Sequence, residues 1–353
     1  LHIHDLVGSA EELEQAIQDG FVKVVEHPLH PRKLYNYTQR AQFDNAWNSA
    51  TMACRGVIVN AGGIVVARPF RKFFNLSQLP CVPDGPFTVQ EKVDGSLGIG
   101  YLTPTGGVAI ATRGSFSSDQ ATWATCWVNA TPEYAEFVRD QILSGSTPLF
   151  EIVYPQNRIV VDYGQTSGLV YLASISIETG EDVGMQGRWP GQVAPYYEGL
   201  DLETLIHMER SNAEGFVLKW PCGTRAKVKH EEYVRLHRIL TNVSSKTIWE
   251  LLKAHQSVDQ LIDMVPDEFY EWVRLVMKEL NEAFSSVESE ALAVLAQVPA
   301  DASRKEQAEF ILAEAKTPGI VFAMLDGKMY ADKIWDLVRP VHSKPFRTDT
   351  EIC

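Results

Sequence analysis

Between about residues 55 and 235 the apolar positions fall in short β-branched and aromatic runs set off by turn residues, which predicts mixed, largely antiparallel sheet. Val57-Ile58-Val59 and Ile64-Val65-Val66 flank Asn60-Ala61-Gly62-Gly63 as the arms of a hairpin flank its turn. A second hairpin is predicted from residues 97–102 to 108–110 across Thr103-Pro104-Thr105-Gly106-Gly107. Further strands are expected at about 87–90, 149–154, 158–163, 169–177, 215–220 and 225–229, with helices at about 10–18 and 119–142.

After about residue 240 the period changes. Phe269, Val273, Val276, Leu280, Phe284 and Val287 recur three or four apart behind Pro266-Asp267-Glu268, which predicts an amphipathic helix with a core-facing stripe that stops before Pro299. Other helices are expected near 244–264, 301–316 and 328–338. The fold class is therefore α+β: an antiparallel-sheet domain over residues 1–240 and an all-helical domain over 241–353.

With 353 residues, 45% of them hydrophobic, the chain can bury two ordinary cores. Its net charge of −13, negative in both segments, argues against a broad basic coat for nucleic acid and leaves only a local cationic site. Five scattered cysteines without a Cys-x-x-Cys pair fit a reducing compartment better than a zinc site. No apolar run reaches membrane-spanning length and the first residues lack a secretion signal's layout, so a soluble, cytoplasmic monomer with no membrane partner is expected.

The segment Glu91-Lys92-Val93-Asp94-Gly95-Ser96 lies where an extended run meets a Gly-rich strand. A lysine becomes a nucleophile only where its surroundings favour the neutral amine. Taken alone, Lys-x-Asp-Gly reads more readily as a solvated turn. An ordered set of companions changes that weighting: Thr112-Arg113-Gly114-Ser115 offers a cation and hydroxyls, Phe150-Glu151 sets a carboxylate in an apolar strand, and Glu214-Gly215-Phe216-Val217 does likewise. Lys227 and Lys229 share one face of a strand by its period of two. Lysines to neutralise phosphate, carboxylates for a divalent metal or ribose, and an aromatic for a base suit a nucleoside triphosphate. The same cations would crowd Lys92 with like charge and favour its neutral form.

In order and spacing these strings resemble motifs I, III, IIIa, IV and V of the covalent nucleotidyltransferases, the superfamily of polynucleotide ligases and capping enzymes. The finer resemblance is to the RNA ligase 1 family of T-even phages. It rests on Cys54-Arg55-Gly56, on residues Ala67 to Asn75 with their Arg-Pro-x-x-Lys-Phe-Phe-Asn string, on Pro155-Gln156-Asn157-Arg158-Ile159-Val160, on Tyr233-Val234-Arg235-Leu236-His237 and more weakly on Tyr35-Asn36-Tyr37. It covers about residues 30–240 and implies an N-terminal nucleotidyltransferase domain of the ATP-grasp-like ligase type. The activity it implies is ATP-dependent joining of RNA 5′-phosphate and 3′-hydroxyl ends, with repair of tRNA-like loops as the expected setting.

By this resemblance Lys92 is the nucleophile that takes AMP from ATP, and Glu91 reads the adenine edge. Asp94 and Glu151 serve ribose or metal-bound water, Glu214 is the metal-side carboxylate, and Lys227 and Lys229 hold the α-phosphate. Arg55, Lys72 and Arg113 face ribose and the outgoing phosphates, Gly95 gives close backbone approach, and Phe150 or Phe216 stacks on the base unless it is core. Tyr35 is a weaker candidate, with packing as its alternative. Mg²⁺ or Mn²⁺ is implied, with Glu151 and Glu214 as its carboxylates. Arg113 stands where the phage enzyme has lysine, which keeps the charge and changes the geometry. His230 and His237 lack partners at metal spacing, and Trp47, Trp123, Trp127, Trp220 and Trp272 are expected in cores. The alternatives are a capping-type or DNA-joining enzyme, which would normally carry an OB-fold after motif V, and a nucleotide-responsive RNA-binding module that does not turn over.

Overall fold

The β-branched runs pair into three sheets. In the computed structural model, which describes residues 1–234, 244–256 and 270–341, the strands are β1 (Val22–Glu26), β2 (Arg32–Tyr37), β3 (Arg55–Asn60), β4 (Val65–Ala67), β5 (Phe74–Asn75), β6 (Thr88–Lys92), β7 (Ser96–Leu102), β8 (Val108–Thr112), β9 (Ser146–Val153), β10 (Gly168–Ser176), β11 (Asp182–Val183), β12 (Tyr196–Tyr197), β13 (Gly215–Lys219) and β14 (Arg225–Lys229). The first sheet is the meander β1-β2-β3-β4, the second runs β11-β10-β9-β7-β8, and the third runs β12-β6-β13-β14-β5. Every pairing is antiparallel except β14 with β5. The chain divides into two units, Leu1–Ile239 and Leu240–Cys353, and all three sheets belong to the first.

Both expected hairpins form. Asn60 Oδ1 accepts from the backbone N–H of Gly62 and of Ile64, an Asx-type closure of the first turn. The first two sheets pack face to face through Leu34, Ile58, Ile99, Tyr101, Leu149 and Ile175. On the other side of the second sheet lie the helices Asp119–Asn129 and Pro132–Leu143, which cover Phe150, Ile152, Leu169 and Tyr171. The single helix expected at 119–142 is thus two, because Pro132 has no N–H to continue the first and its ring pushes Thr131 out of the helical region. The third sheet joins the second through Val93, Val153, Val170 and Ala194 and buries its far face with Val89, Phe216, Leu218, Trp220 and Val228.

The strand expected at 158–163 does not form. A short 3-10 turn at Pro155–Asn157 precedes it, and the N–H groups of Val160 and Val161 go to the Asp94 carboxylate instead of to a neighbouring strand. Short elements without enough periods to read were also missed, among them β1, β2 and the helices Ile3–Val7, Gln39–Phe43, Ser49–Ala53 and Leu202–His207.

The second unit is all helical among its described residues: Ser245–Lys253, Tyr270–Leu295, Arg304–Glu314, Pro318–Leu325 and Ala331–Leu337. Val273, Val276 and Leu280 of the expected stripe are buried, and Phe284 and Val287 pack against Ile311, Ile320, Val321 and Ile334. Ser303 and Glu306 form a capping box that starts the third of these helices. Pro318–Leu325 was not expected, because it is apolar nearly all round and shows no period. Phe269 with Pro266-Asp267-Glu268, residues 257–264 of the expected 244–264 helix, and Arg235-Leu236-His237 lie outside the described residues. No helix among the described residues is long and apolar enough to cross a membrane.

Candidate functional site

Strand register builds the centre of the site. Lys92 pairs with Gly215 and Gly215 with Lys229, so the two lysines flank a glycine on one face of the third sheet. Gly215 has φ +144°, and a Cβ there would sit 2.0 Å from the carbonyl oxygen of Val228 and 2.7 Å from Lys229 Cα. No other residue fits. The carboxylate of the preceding Glu214, 4% exposed, lies between the two amines: Oε2 is 2.7 Å from Lys92 Nζ and Oε1 is 3.4 Å from Lys229 Nζ. Like-charge crowding by the neighbouring lysines was expected at Lys92, and the structure adds that its nearest charge is opposite in sign. One pleat along, Gln90, Val217 and Lys227 form the next row on the same face, so Lys227 and Lys229 do share a side.

Glu151 faces this row from β9. Period-two alternation turns Phe150 to the helix-covered side of that strand, where it is fully buried against Tyr171 and Trp189, so Phe150 is core and offers no face to a base. Phe216 is likewise fully buried, packed on Tyr197 and His230. Gly95 permits Glu151 its approach: a Cβ at Gly95 would lie 2.6 Å from the Ile152 carbonyl oxygen and 3.0 Å from Glu151 Cγ. Desolvation pushes the Glu151 carboxyl up to about 8, Lys92 pulls it down, and Glu214 and Asp94 raise it further. A carboxyl held in this way is poised to gain from a cation.

A second cluster supplies positive charge. Arg113 Nη1 donates to Tyr37 Oη at 2.6 Å, with its guanidinium 4.9 Å from the Tyr37 ring centroid. Lys72 is 6% exposed, its Nζ 5.5, 5.0 and 5.2 Å from the ring centroids of Tyr37, Trp47 and Phe74. Arg55 lies over Phe73, and its buried Nη1 has no hydrogen-bond partner among the described residues. Desolvation lowers the Arg55 pKa, Tyr37 counters that, and Arg113 adds to the lowering. Arg55 and Glu151 feel each other's charge, which ties the two clusters together. An unpaired buried guanidinium N–H beside two more cations is the signature of an anion site. Of the neighbouring basic residues, Arg68 is spent on the carbonyls of Ile177 and Glu178.

Tyr37 and Trp47 are site residues that the sequence reading missed. The β2–β3 ladder shifts between Tyr35 and Asn36, opposite Gly56, so Leu34 and Tyr37 are both buried although three apart. Tyr35, by contrast, packs on the core cluster of Ile3, Leu13 and Val57, away from the cations. Gly56 has φ +95°, and a Cβ there would meet Arg113 Cα at 3.1 Å, so the irregularity also admits Arg113. The readable signal was Gly56 inside an apolar strand.

Two expected roles do not match their placement. Glu91 pairs with Phe216 and shares its face, opposite to that of Lys92, and its Oε2 takes bonds from Tyr197 Oη and, at 3.0 Å, from Arg210 Nη1. Neighbouring strand residues point to opposite faces, so Glu91 does not reach the side on which Lys92 lies. Asp94, 4% exposed, accepts from the N–H of Val160 (2.9 Å) and Val161 (2.8 Å) and from Tyr233 Oη (2.9 Å). Its acceptor positions are used inside the protein, where they hold the 158–163 segment and the helical residues 231–234 after β14. Lys229 Nζ lies 5.4 Å from the Tyr233 ring centroid, so the same tyrosine steadies both groups.

The donors Glu151 and Glu214 are oxygen ligands suited to a hard divalent cation. Among the described residues no group of three or more His, Cys, Asp or Glu could hold a metal ion. That set fits an Mg²⁺-type ion bound through one or two carboxylates, its shell completed by water and phosphate oxygens.

Residues 53–186 match the family model described as RNA ligase. This stretch holds Arg55, Lys72, Lys92, Asp94, Arg113 and Glu151, and it ends before Glu214, Lys227 and Lys229. The chain is 25% identical over 306 residues to a Thermovibrio ammonificans protein provisionally named RNA ligase, covering 79% of this chain and 78% of that one. It is 24% identical over 273 residues to a provisionally named bifunctional polynucleotide kinase/RNA ligase of Autographa californica nuclear polyhedrosis virus, covering 69% of this chain and 39% of that protein. Among solved structures, an archaeal ATP-dependent RNA ligase superposes with TM-score 0.46 at 12% identity, over 93% of this chain and 98% of that one. A Naegleria gruberi RNA ligase variant solved with ATP and Mn superposes with TM-score 0.33 at 15% identity, over 43% of this chain and 51% of that one. Over residues 53–186, and more loosely over most of its length, the chain is thus similar to RNA ligases.

Proposed function

We propose that this chain is an ATP-dependent RNA ligase that works through an AMP adduct on Lys92, with residues 1–240 as the adenylyltransferase domain and 241–353 as a helical accessory domain. The observation that carries this reading is the row Lys92, Glu214, Lys229, set beside a guanidinium with an unpartnered buried N–H. In the first transfer Lys92 Nζ forms a bond to the α-phosphorus of ATP as the bond to the bridging oxygen breaks, and pyrophosphate leaves with the electron pair. Glu214 Oε2, 2.7 Å away, is in reach to take the proton that the amine must lose. Lys227 and Lys229 offset charge on the α-phosphate, and Arg55, Arg113 and Lys72 hold ribose and the outgoing phosphates. A divalent ion at Glu151 and Glu214, when bound, neutralises phosphate charge.

The AMP then passes from Lys92 to an RNA 5′-phosphate, which restores the amine. A 3′-hydroxyl attacks that phosphate, AMP departs, and a phosphodiester remains. Asp94 acts here by positioning, through the loop and the tyrosine it holds. The phage-type resemblance extends the proposal to tRNA-like repair substrates in the cytoplasm. The test is incubation of 5′-labelled, 5′-phosphorylated RNA with ATP and Mg²⁺. Phosphatase-resistant joined or circular RNA is expected from wild type and none from Lys92→Ala. Wild type that joins nothing while remaining folded would count against the reading.

A further inference from the structure

Against Asp94, two residues along the chain from Lys92, lies a cavity of about 320 Å³ whose lining includes Tyr154, Arg158, Asp162, Gln165 and Thr166. No role in nucleotide transfer falls to any of these residues except Asp94. Two observations tie the cavity to the site: Tyr163, also in its wall, accepts the Asp94 N–H at 2.8 Å, and the Tyr163 phenol feels the charges of Asp94, Glu151 and Glu214. A volume near 300 Å³ is at the small end for a bound organic ligand and matches a single nucleoside.

The lining says which part of a nucleic acid it suits. Arg158, the cation in the lining, lies 2.9 Å from Asp162, and with Asp94 the lining holds two carboxylates to one guanidinium, so it carries no net positive charge for a phosphate. Gln165, exposed, and Thr166, half-buried, bring an amide and a hydroxyl to the lining, a donor and acceptor pair of the kind that reads sugar hydroxyls. Tyr154 adds an aromatic wall and is itself held by stacking on Trp123, ring centroids 4.4 Å apart at 22°. The turn that presents Gln165 and Thr166 is fixed by Asp162 Oδ1, which accepts from the Gly164 N–H. The whole loop is anchored on Asp94 through Val160 and Val161.

We propose that this cavity receives the terminal nucleoside of the RNA strand that presents its 3′-hydroxyl. The inference rests on the ligase reading above and adds the acceptor subsite to it. It places the acceptor against Asp94, on the side lined by the 154–166 segment, so the ATP-dependent first transfer does not need it.

The two transfers can be measured apart on the full-length chain. Adduct formation from ATP reports the first, and sealing of a pre-adenylylated RNA to a 3′-hydroxyl RNA, without ATP, reports the last. The variants are Gln165→Ala with Thr166→Val, and separately Tyr154→Ala. Each should raise the acceptor KM in sealing about tenfold or more, the scale of one or two lost hydrogen bonds or a lost stacking contact, with adduct formation within about twofold of wild type. A 2′-deoxy terminal nucleotide on the acceptor should slow wild type and make little further difference to the Gln165/Thr166 variant. An unchanged acceptor KM, or a 2′-deoxy penalty that persists in that variant, overturns the proposal, as does an equal fall in both transfers. Wild type that seals normally alongside such results leaves the ligase reading standing, whereas wild type that forms no adduct and seals nothing brings down both.

Discussion

Gly215→Ala puts one methyl group where the backbone leaves no room. Its Cβ would lie 2.0 Å from the Val228 oxygen and 2.7 Å from Lys229 Cα, so β13 and β14 must part by about 1 Å to restore ordinary contact. Holding alanine at φ +144° adds roughly 1–3 kcal/mol, and the opened strand pair weakens its hydrogen bonds, each worth about 1 kcal/mol. A local loss of about 3 kcal/mol or more is expected. Hydrogen exchange at the β13 and β14 amides reads it directly, without requiring the two units to unfold together. Lys229 sits 3.4 Å from Glu214 on the moving strand, and a shift of this size at a transfer site costs on the order of 10²-fold in rate. Exchange protection within about 1 kcal/mol of wild type, together with an adduct rate within about threefold, would refute the argument that glycine is there to bring the two strands together.

Glu214→Gln removes the charge between two amines and should cost about 3 kcal/mol in local stability, read by urea titration of sheet fluorescence, and abolish adduct formation. Tyr233→Phe loses the bond to Asp94 Oδ1 and should cost about 1–3 kcal/mol while speeding proteolytic cleavage in residues 158–166; an unchanged cleavage rate would count against Asp94 as the anchor of that loop. For Glu151, burial raises the folded-state value to about 8 from an ordinary 4.5, so stability present below about pH 4.5 is lost as pH rises through 8. Glu151→Gln lacks that loss, and its thermal midpoint should gain on wild type between pH 5 and 8.5, by the equivalent of ~4 kcal/mol in the metal-free protein; a constant difference would contradict the assignment.

The alternation of residues 57–66 and 97–110, the two-residue spacing of Lys227 and Lys229, and the stripe from Val273 to Val287 were legible because each is a local period with turn or cap chemistry at its ends. Residues 158–163 looked equally strand-like. What decided them was a carboxylate 66 residues away in sequence taking the N–H of Val160, which no local pattern carries. The same limit explains Glu91 and Phe150. The motif strings are contiguous, but a strand sends adjacent residues to opposite faces, so Phe150 and Glu151 part company, as do Glu91 and Lys92. Tyr37 and Trp47 were hidden because the register shift opposite Gly56 and a separate helix start bring them to Lys72 from different parts of the chain. The charge pattern was half readable: the cations were found, and the carboxylate standing between two of them needed the register to be seen.

Intact mass followed by peptide mapping, after incubation of the full chain with ATP and Mg²⁺, tests the account most directly. One added adenylyl group, located on the peptide carrying Lys92 and released by pyrophosphate, is the expected result. An unmodified Lys92 peptide in folded protein, or the same gain in a Lys92→Ala variant, would contradict it.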